Sequence, residues 1–122
     1  MIYTTYFAKL SCLPQNVIPI SICAKAPEWY KGIQFKGLAP KYGFFSKWKQ
    51  THDNDYYIRH YYNEVLWGYD PHNLVKFLEA YRPDPTYHIA LVCYEKPGNF
   101  CHRHLVAEWL RNHNIFCKEY EF

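Results

Sequence analysis

The sequence predicts an α/β fold, a small three-layer, Rossmann-like domain with a mostly parallel sheet. Two observations carry that expectation. Short runs rich in β-branched and aromatic residues are joined by stretches of helical period, and strand, crossover helix, strand is the order from which parallel sheets are built. The chain has 122 residues, 49% of them apolar, which suffices for one core without disulfide staples, so a single domain over 1–122 is expected.

Ile2 to Phe7 reads as the first strand and Val17 to Ile22 as the second, with Pro14 marking the turn between them. The link from Ala8 to Asn16 is short for a helical crossover and predicts an irregular or single-turn connection. Ala24 to Pro40 holds Pro27, Trp29, Tyr30, Gly32, Gly37 and Pro40 without apolar period, and reads as a long loop that can serve as a lid. Lys41 to Gln50 predicts a short helix, and Thr51-His52-Asp53-Asn54 supplies capping side chains for a longer one to about Trp67, stopped by Gly68. Asp70 caps a third helix with Pro71 at its first position, and Leu74, Phe77, Leu78 and Tyr81 recur at helical spacing before Pro83 and Pro85 end it. Tyr87 to Tyr94 is the central strand, His102 to Asn112 the last helix and Ile115 to Tyr120 a closing strand.

Composition narrows the function classes. No apolar run is long enough for a membrane span, and the start, Met1-Ile2-Tyr3-Thr4, lacks the pattern of a secretory signal. Five cysteines at unpatterned spacings (Cys12, Cys23, Cys93, Cys101, Cys117) point to reduced thiols, so a cytoplasmic address without membrane partners is expected. The formal charge of +3 is too small to require a nucleic-acid partner, but Lys25 to Lys49 carries six lysines against Glu28 alone. That stretch is either a solvated face or a wall of an anion site. Aromatic residues make up 20% of the chain, enough to fill a core and still offer rings for stacking on bases.

Chemistry concentrates at one strand-to-helix turn, where Cys93-Tyr94-Glu95 is followed, across a short loop, by Cys101-His102-Arg103-His104. An open α/β sheet presents its ligand crevice at such a turn, and helix N–H groups attract anions there. In the last helix Leu105, Val106, Trp109 and Leu110 form the buried stripe, with His102 and Arg103 one turn above it on the same face; His104 aligns with Glu108 and Arg111 on the outer face. A cation in the first helical turn opposes the macrodipole at a cost of about 0.3–1 kcal/mol, so a negative partner is expected: Glu95, a bound phosphate or carboxylate, or both. Cys101 is a candidate nucleophile, because a helix N-terminus with His102 and Arg103 beside it lowers a thiol pKa, although the Cys-x5-Arg cradle of thiol phosphatases is absent. Cys93 reads as a buried cysteine. Glu95 can act as general acid or base, or hold a ribose hydroxyl. Ser21 and Cys23 end the second strand and Thr4 to Tyr6 the first, which directs them to the same crevice. Cys101 and His102 are adjacent and expected to point apart, and no Cys-x-x-Cys adds ligands, so neither a metal nor a cofactor is expected.

The run from Cys93 to Ala107, with Thr4-Thr5-Tyr6 and Lys36-Gly37-Leu38-Ala39-Pro40-Lys41-Tyr42, resembles the family catalogued as domain of unknown function 488 (DUF488) over nearly the whole chain. The resemblance implies a small Rossmann-like α/β protein with a Cys-x-Glu and Cys-His-Arg motif. That motif is similar by analogy to the cysteine-histidine loop of nucleotide-sugar hydrolases and transferases. Many relatives carry a basic residue after the second strand where this chain has Cys23-Ala24, a departure from the family pattern at the place where such a cation would act.

The reading that follows is a crevice for a nucleotide-like, phosphate-bearing small molecule. Arg103 and the helix N-terminus would hold the anion, Glu95 a sugar hydroxyl, His102, Cys93, Tyr94, Ser21, Thr4 and Tyr6 would line the site, and Trp29 or Tyr30 would close over a base. Such a protein is either an enzyme cleaving an N-glycosidic or phosphate bond with Glu95 and Cys101, or a sequestering protein, such as a phage counter-defence protein that captures a nucleotide immune signal. Two other classes compete with it: nucleic-acid binding through Lys25 to Lys49, and a structural role in which the motif is an internal brace.

Overall fold

The computed structural model describes all 122 residues. Strand β1 (Ile2–Tyr6) runs into a 3-10 turn, Phe7–Cys12, and then β2 (Val17–Ser21). A two-residue strand, β3 (Ile33–Gln34), precedes three consecutive helices, α1 (Tyr42–Thr51), α2 (Asn54–Glu64) and α3 (Pro71–Glu79). Strand β4 (His88–Cys93), helix α4 (His102–Asn112) and strand β5 (Cys117–Glu119) complete the chain. The five strands form one all-parallel sheet in the order β3-β2-β4-β1-β5, the α/β, Rossmann-like architecture expected.

Local chemistry explains most boundaries. Asp53 caps α2 by accepting from the Tyr56 N–H at 3.1 Å, and Asp70 caps α3 by accepting from the His72 N–H at 3.3 Å with Pro71 following. His52, at φ 53°, closes α1 in the left-handed conformation that ends many helices. Helix α2 ends at Glu64 and gives way to a 3-10 turn at Leu66–Gly68, short of the expected Trp67. The region 24–40 is not wholly loop: β3 adds to the sheet edge with Ile20 opposite Ile33 and Ser21 opposite Gln34. So short a strand has no period to reveal it; pairing with β2 creates it.

The main core joins Ile2, Ile20, Ile89 and Leu91 of the strands to Tyr57 and Tyr61 of α2, Leu74 and Leu78 of α3, and Leu105, Val106 and Leu110 of α4. Each fully buried Leu or Ile contributes about 1.5–3 kcal/mol of transfer free energy. Right-handed crossovers that advance in the same direction along a sheet stack on one side, and β3 to β4 and β4 to β5 both advance toward β5. All four helices therefore share a face. The connections leaving β1 and β2 run the opposite way and cover the other face with the 3-10 turn and irregular chain, whose cluster comprises Phe7, Cys23, Tyr30, Val92, Cys93 and Cys101. The third layer thus contains no α-helix. No helix is long and apolar enough to cross a membrane.

Candidate functional site

Chain leaving β2 goes to one face of the sheet and chain leaving β4 to the other, so a crevice opens between their C-terminal ends, where open α/β sheets bind ligands. Its volume is about 890 Å³, within the range that holds a nucleotide-sized molecule. Cys93, Tyr94, Glu95, Cys101 and His102 line it, as do Cys23 and Lys25 after β2 and a wall of Tyr42, Phe45, Trp48 and Lys49 from α1 with Tyr57 and Phe100. A smaller depression of about 530 Å³, bordered by Lys36, Lys41, Glu64 and Tyr69, contains none of the candidate residues.

Five of the candidates thus meet at the crevice: Cys93, Tyr94, Glu95, Cys101 and His102. Glu95 is exposed at its edge, with only a long contact from the Asn99 side chain at 3.5 Å, so its carboxylate is open to a ligand or water. Tyr94 is half-exposed, and its hydroxyl donates to the Lys25 carbonyl at 2.6 Å, tying the two loops together. The loop from Glu95 to Phe100 turns at Gly98, whose φ of +93° favours glycine.

His102 is almost fully buried, and its Nε2 lies 2.8 Å from the Ile22 carbonyl oxygen. A carbonyl only accepts, so Nε2 carries the proton and Nδ1 presents a bare lone pair. That lone pair faces two sulfurs, Cys93 Sγ at 3.5 Å and Cys101 Sγ at 4.0 Å. Adjacent residues Cys101 and His102 therefore converge, contrary to expectation, because Cys101 is the extended residue before α4 and sends its side chain back toward β4. Burial, with the nearby Arg103 charge adding to it, holds the imidazole well below its usual value, at about 4, so it is neutral.

Cys93 and Cys101 are joined as a disulfide, which corrects the expectation of reduced thiols throughout and leaves Cys101 without a free thiol to act as nucleophile in this state. Cys12, Cys23 and Cys117 are free. Cys23 is buried beside the pair; its N–H donates to Ser21 Oγ at 3.3 Å, and burial pushes its thiol up to about 11.

Arg103 is placed differently from the anion-binding reading. Its side chain is fully buried, and its fork is taken by the protein: Nε donates to Glu119 Oε1 at 3.0 Å, one terminal nitrogen to Glu119 Oε2 at 2.9 Å, and the other to the Glu95 backbone carbonyl. The negative partner that the helix dipole demanded is Glu119 of β5, not the Glu95 carboxylate. Thr4 completes this brace, donating to Glu119 Oε1 at 2.6 Å, and the Tyr6 ring lies 5.6 Å from the guanidinium. Thr4, Tyr6 and Arg103 thus form a structural cluster outside the crevice. Ser21 is buried and spends its oxygen on the Cys23 N–H. His104 is half-buried rather than on an outer face.

The aromatic residues are also redistributed. Tyr30 is buried, its hydroxyl donating to the Ile33 carbonyl at 2.6 Å, and Trp29 packs edge-on against Phe7 at 5.9 Å, so neither borders the crevice. The wall that does is Phe45 and Trp48 of α1, Tyr57 of α2 and Phe100 of the loop before α4, none of which was singled out from the sequence. Trp48 contacts Tyr57 at 5.5 Å between ring centres, where α1 packs on α2, and Phe100 at 5.4 Å, where α1 meets the loop before α4.

Neither the comparison with curated proteins nor that with solved structures returned a match. Residues 7–114 match a family model described as the active DUF488-N3 subclade, a span that includes the crevice and its Cys-x-Glu and Cys-His-Arg motifs. Over that span, nearly the whole length of the fold, the chain belongs to the DUF488 family.

Proposed function

We propose that the protein binds a nucleotide-like, anionic small molecule in this crevice and cleaves an N-glycosidic or phosphate bond in it. The observation that carries the reading is the crevice itself, roomy and aromatic-walled, with Glu95 at its edge and Lys25 and Lys49 on its border. A base would pack against Trp48 and Phe100, in place of Trp29 or Tyr30. The anion would meet Lys25, Lys49 and the first N–H groups of α4, a helix start that receives no capping hydrogen bond from the Cys101 side chain. Glu95, exposed and weakly held, would activate a water as general base.

A thermal-shift screen over nucleosides and nucleotides tests this. Ligand at a hundredfold excess over its dissociation constant stabilises by about 2.7 kcal/mol, and Trp48→Ala removes that gain. No shift with any of them would discard the site. Chromatography of the incubated ligand then separates mechanisms: a released base or phosphate, lost in Glu95→Gln, means hydrolysis, whereas intact nucleotide means a sequestering protein.

A further inference from the structure

We infer that the reduced protein carries a zinc site at the floor of the crevice, built from Cys23, Cys93 and His102 with Cys101 as the fourth ligand. The ligand atoms of Cys23, Cys93 and His102 all lie within 4.8 Å of one another, and all three residues are buried. Tetrahedral zinc, with bonds of about 2.3 Å to sulfur and about 2.0 Å to nitrogen, sets its ligands roughly 3.5–3.8 Å apart. Cys93 Sγ and His102 Nδ1 already stand 3.5 Å apart, and Cys101 Sγ lies 4.0 Å from the same nitrogen. Reduction lets the two bonded sulfurs part, and the Cys23 sulfur has to close in from a distance of no more than 4.8 Å.

Two features make this more than a chance cluster. The Ile22 carbonyl fixes the His102 tautomer through Nε2, the outer hydrogen bond that metal-bound histidines make, and so aims a bare Nδ1 at the sulfurs. The four residues also come from three separated places: the exit of β2, the end of β4 and the start of α4. A set of thiolates and one imidazole selects zinc over magnesium or calcium, which take oxygen ligands.

Reduction must come first. A dithiol reductant transfers two hydrogens to the Cys93–Cys101 bond and leaves as its own cyclic disulfide, giving two thiols. Zinc then displaces the protons of Cys23, Cys93 and Cys101 to solvent as three Zn–S bonds form. Metal coordination also overcomes the burial that keeps the Cys23 thiol protonated.

The proposal stands on these four side chains and does not depend on the nucleotide reading, which is tested separately on the oxidised, metal-free protein. The probe is Co2+, whose thiolate charge-transfer and tetrahedral ligand-field bands report the ligands directly. Reduced wild-type protein is expected to take up one Co2+ per chain, released stoichiometrically by Zn2+, while the oxidised protein takes up none. Cys23→Ser should weaken Co2+ binding by at least about tenfold and lose charge-transfer intensity, whereas Cys12→Ser, on an exposed cysteine, should match the wild type. Should Cys23→Ser fail to fold, the charge-transfer intensity of the wild type still counts its thiolates. Absence of tetrahedral bands in the reduced, folded wild type, equal binding by the oxidised form, or undiminished binding by folded Cys23→Ser would overturn the site.

Discussion

Breaking the Arg103–Glu119 pair from either end should cost unequal amounts, because the two partners are buried unequally. Arg103 is fully buried, whereas the Glu119 side chain is 25% exposed. Removing one partner of a buried pair costs about 3–5 kcal/mol, most of it the penalty of stranding the other charge. Arg103→Met strands a carboxylate that water can reach and that Thr4 still bonds, so the loss should sit near the lower end, about 3 kcal/mol. Glu119→Gln strands a guanidinium with no solvent beside it, so the loss should approach about 5 kcal/mol. Against a total stability of about 5–15 kcal/mol, both are severe. Urea denaturation followed by tryptophan fluorescence measures them. With a slope of about 1–3 kcal/mol per molar, the Arg103→Met midpoint should fall by roughly 1–3 M, and that of Glu119→Gln further. If both variants unfold within about 0.5 kcal/mol of the wild type while Arg103→Met abolishes nucleotide-induced stabilisation, the guanidinium serves a ligand and the brace reasoning fails.

His102 should give the protein an acid-sensitive component of stability. Its folded pKa, about 4, lies below the unfolded value of 6.5, so that stability is fully present above pH 6.5 and is lost as the pH falls toward 4, by about 3 kcal/mol in all. Stability measured across that window should fall less steeply in His102→Gln, and parallel curves would contradict the assignment. Tyr61→Phe removes the hydroxyl that donates to the Leu38 carbonyl at 2.7 Å inside the core, and should cost about 1–3 kcal/mol in a denaturant titration, since the carbonyl is left without its partner. Asp70→Ala, which uncaps α3 at an exposed site, should cost only about 1 kcal/mol by the same measurement.

Much of the fold was legible because its signals are local. Asp53 and Asp70 announce helix starts through bonds made within three residues, Pro71 does so through its fixed φ, and the Leu105, Val106, Trp109, Leu110 stripe announces the buried side of α4. The irregular link after β1 follows from its shortness, and the 3-10 turn at Phe7–Cys12 fills it. The position of the crevice was legible for a related reason: a strand-to-helix turn dense in Cys, Glu and His at the end of an apolar strand lies at the C-terminal edge of a parallel sheet.

Partnership was not legible. Ten acidic residues follow Gln50, and nothing in their spacing selects Glu119 for Arg103. The choice is made by β5 pairing with β1, which sets Glu119 opposite Thr4 and beneath the guanidinium. In the same way α1 delivers Trp48 to Phe100, and the exit of β2 delivers Cys23 to Cys93 and His102. The amino-acid sequence by itself determined most of the elements, the apolar stripes they bury and the place where reactive groups gather, because period, capping and turn chemistry act over a few residues. Only the tertiary structure decided which charge is neutralised, which rings face the crevice and which sulfurs meet, because those pairings depend on strand order and on contacts between residues far apart in the chain.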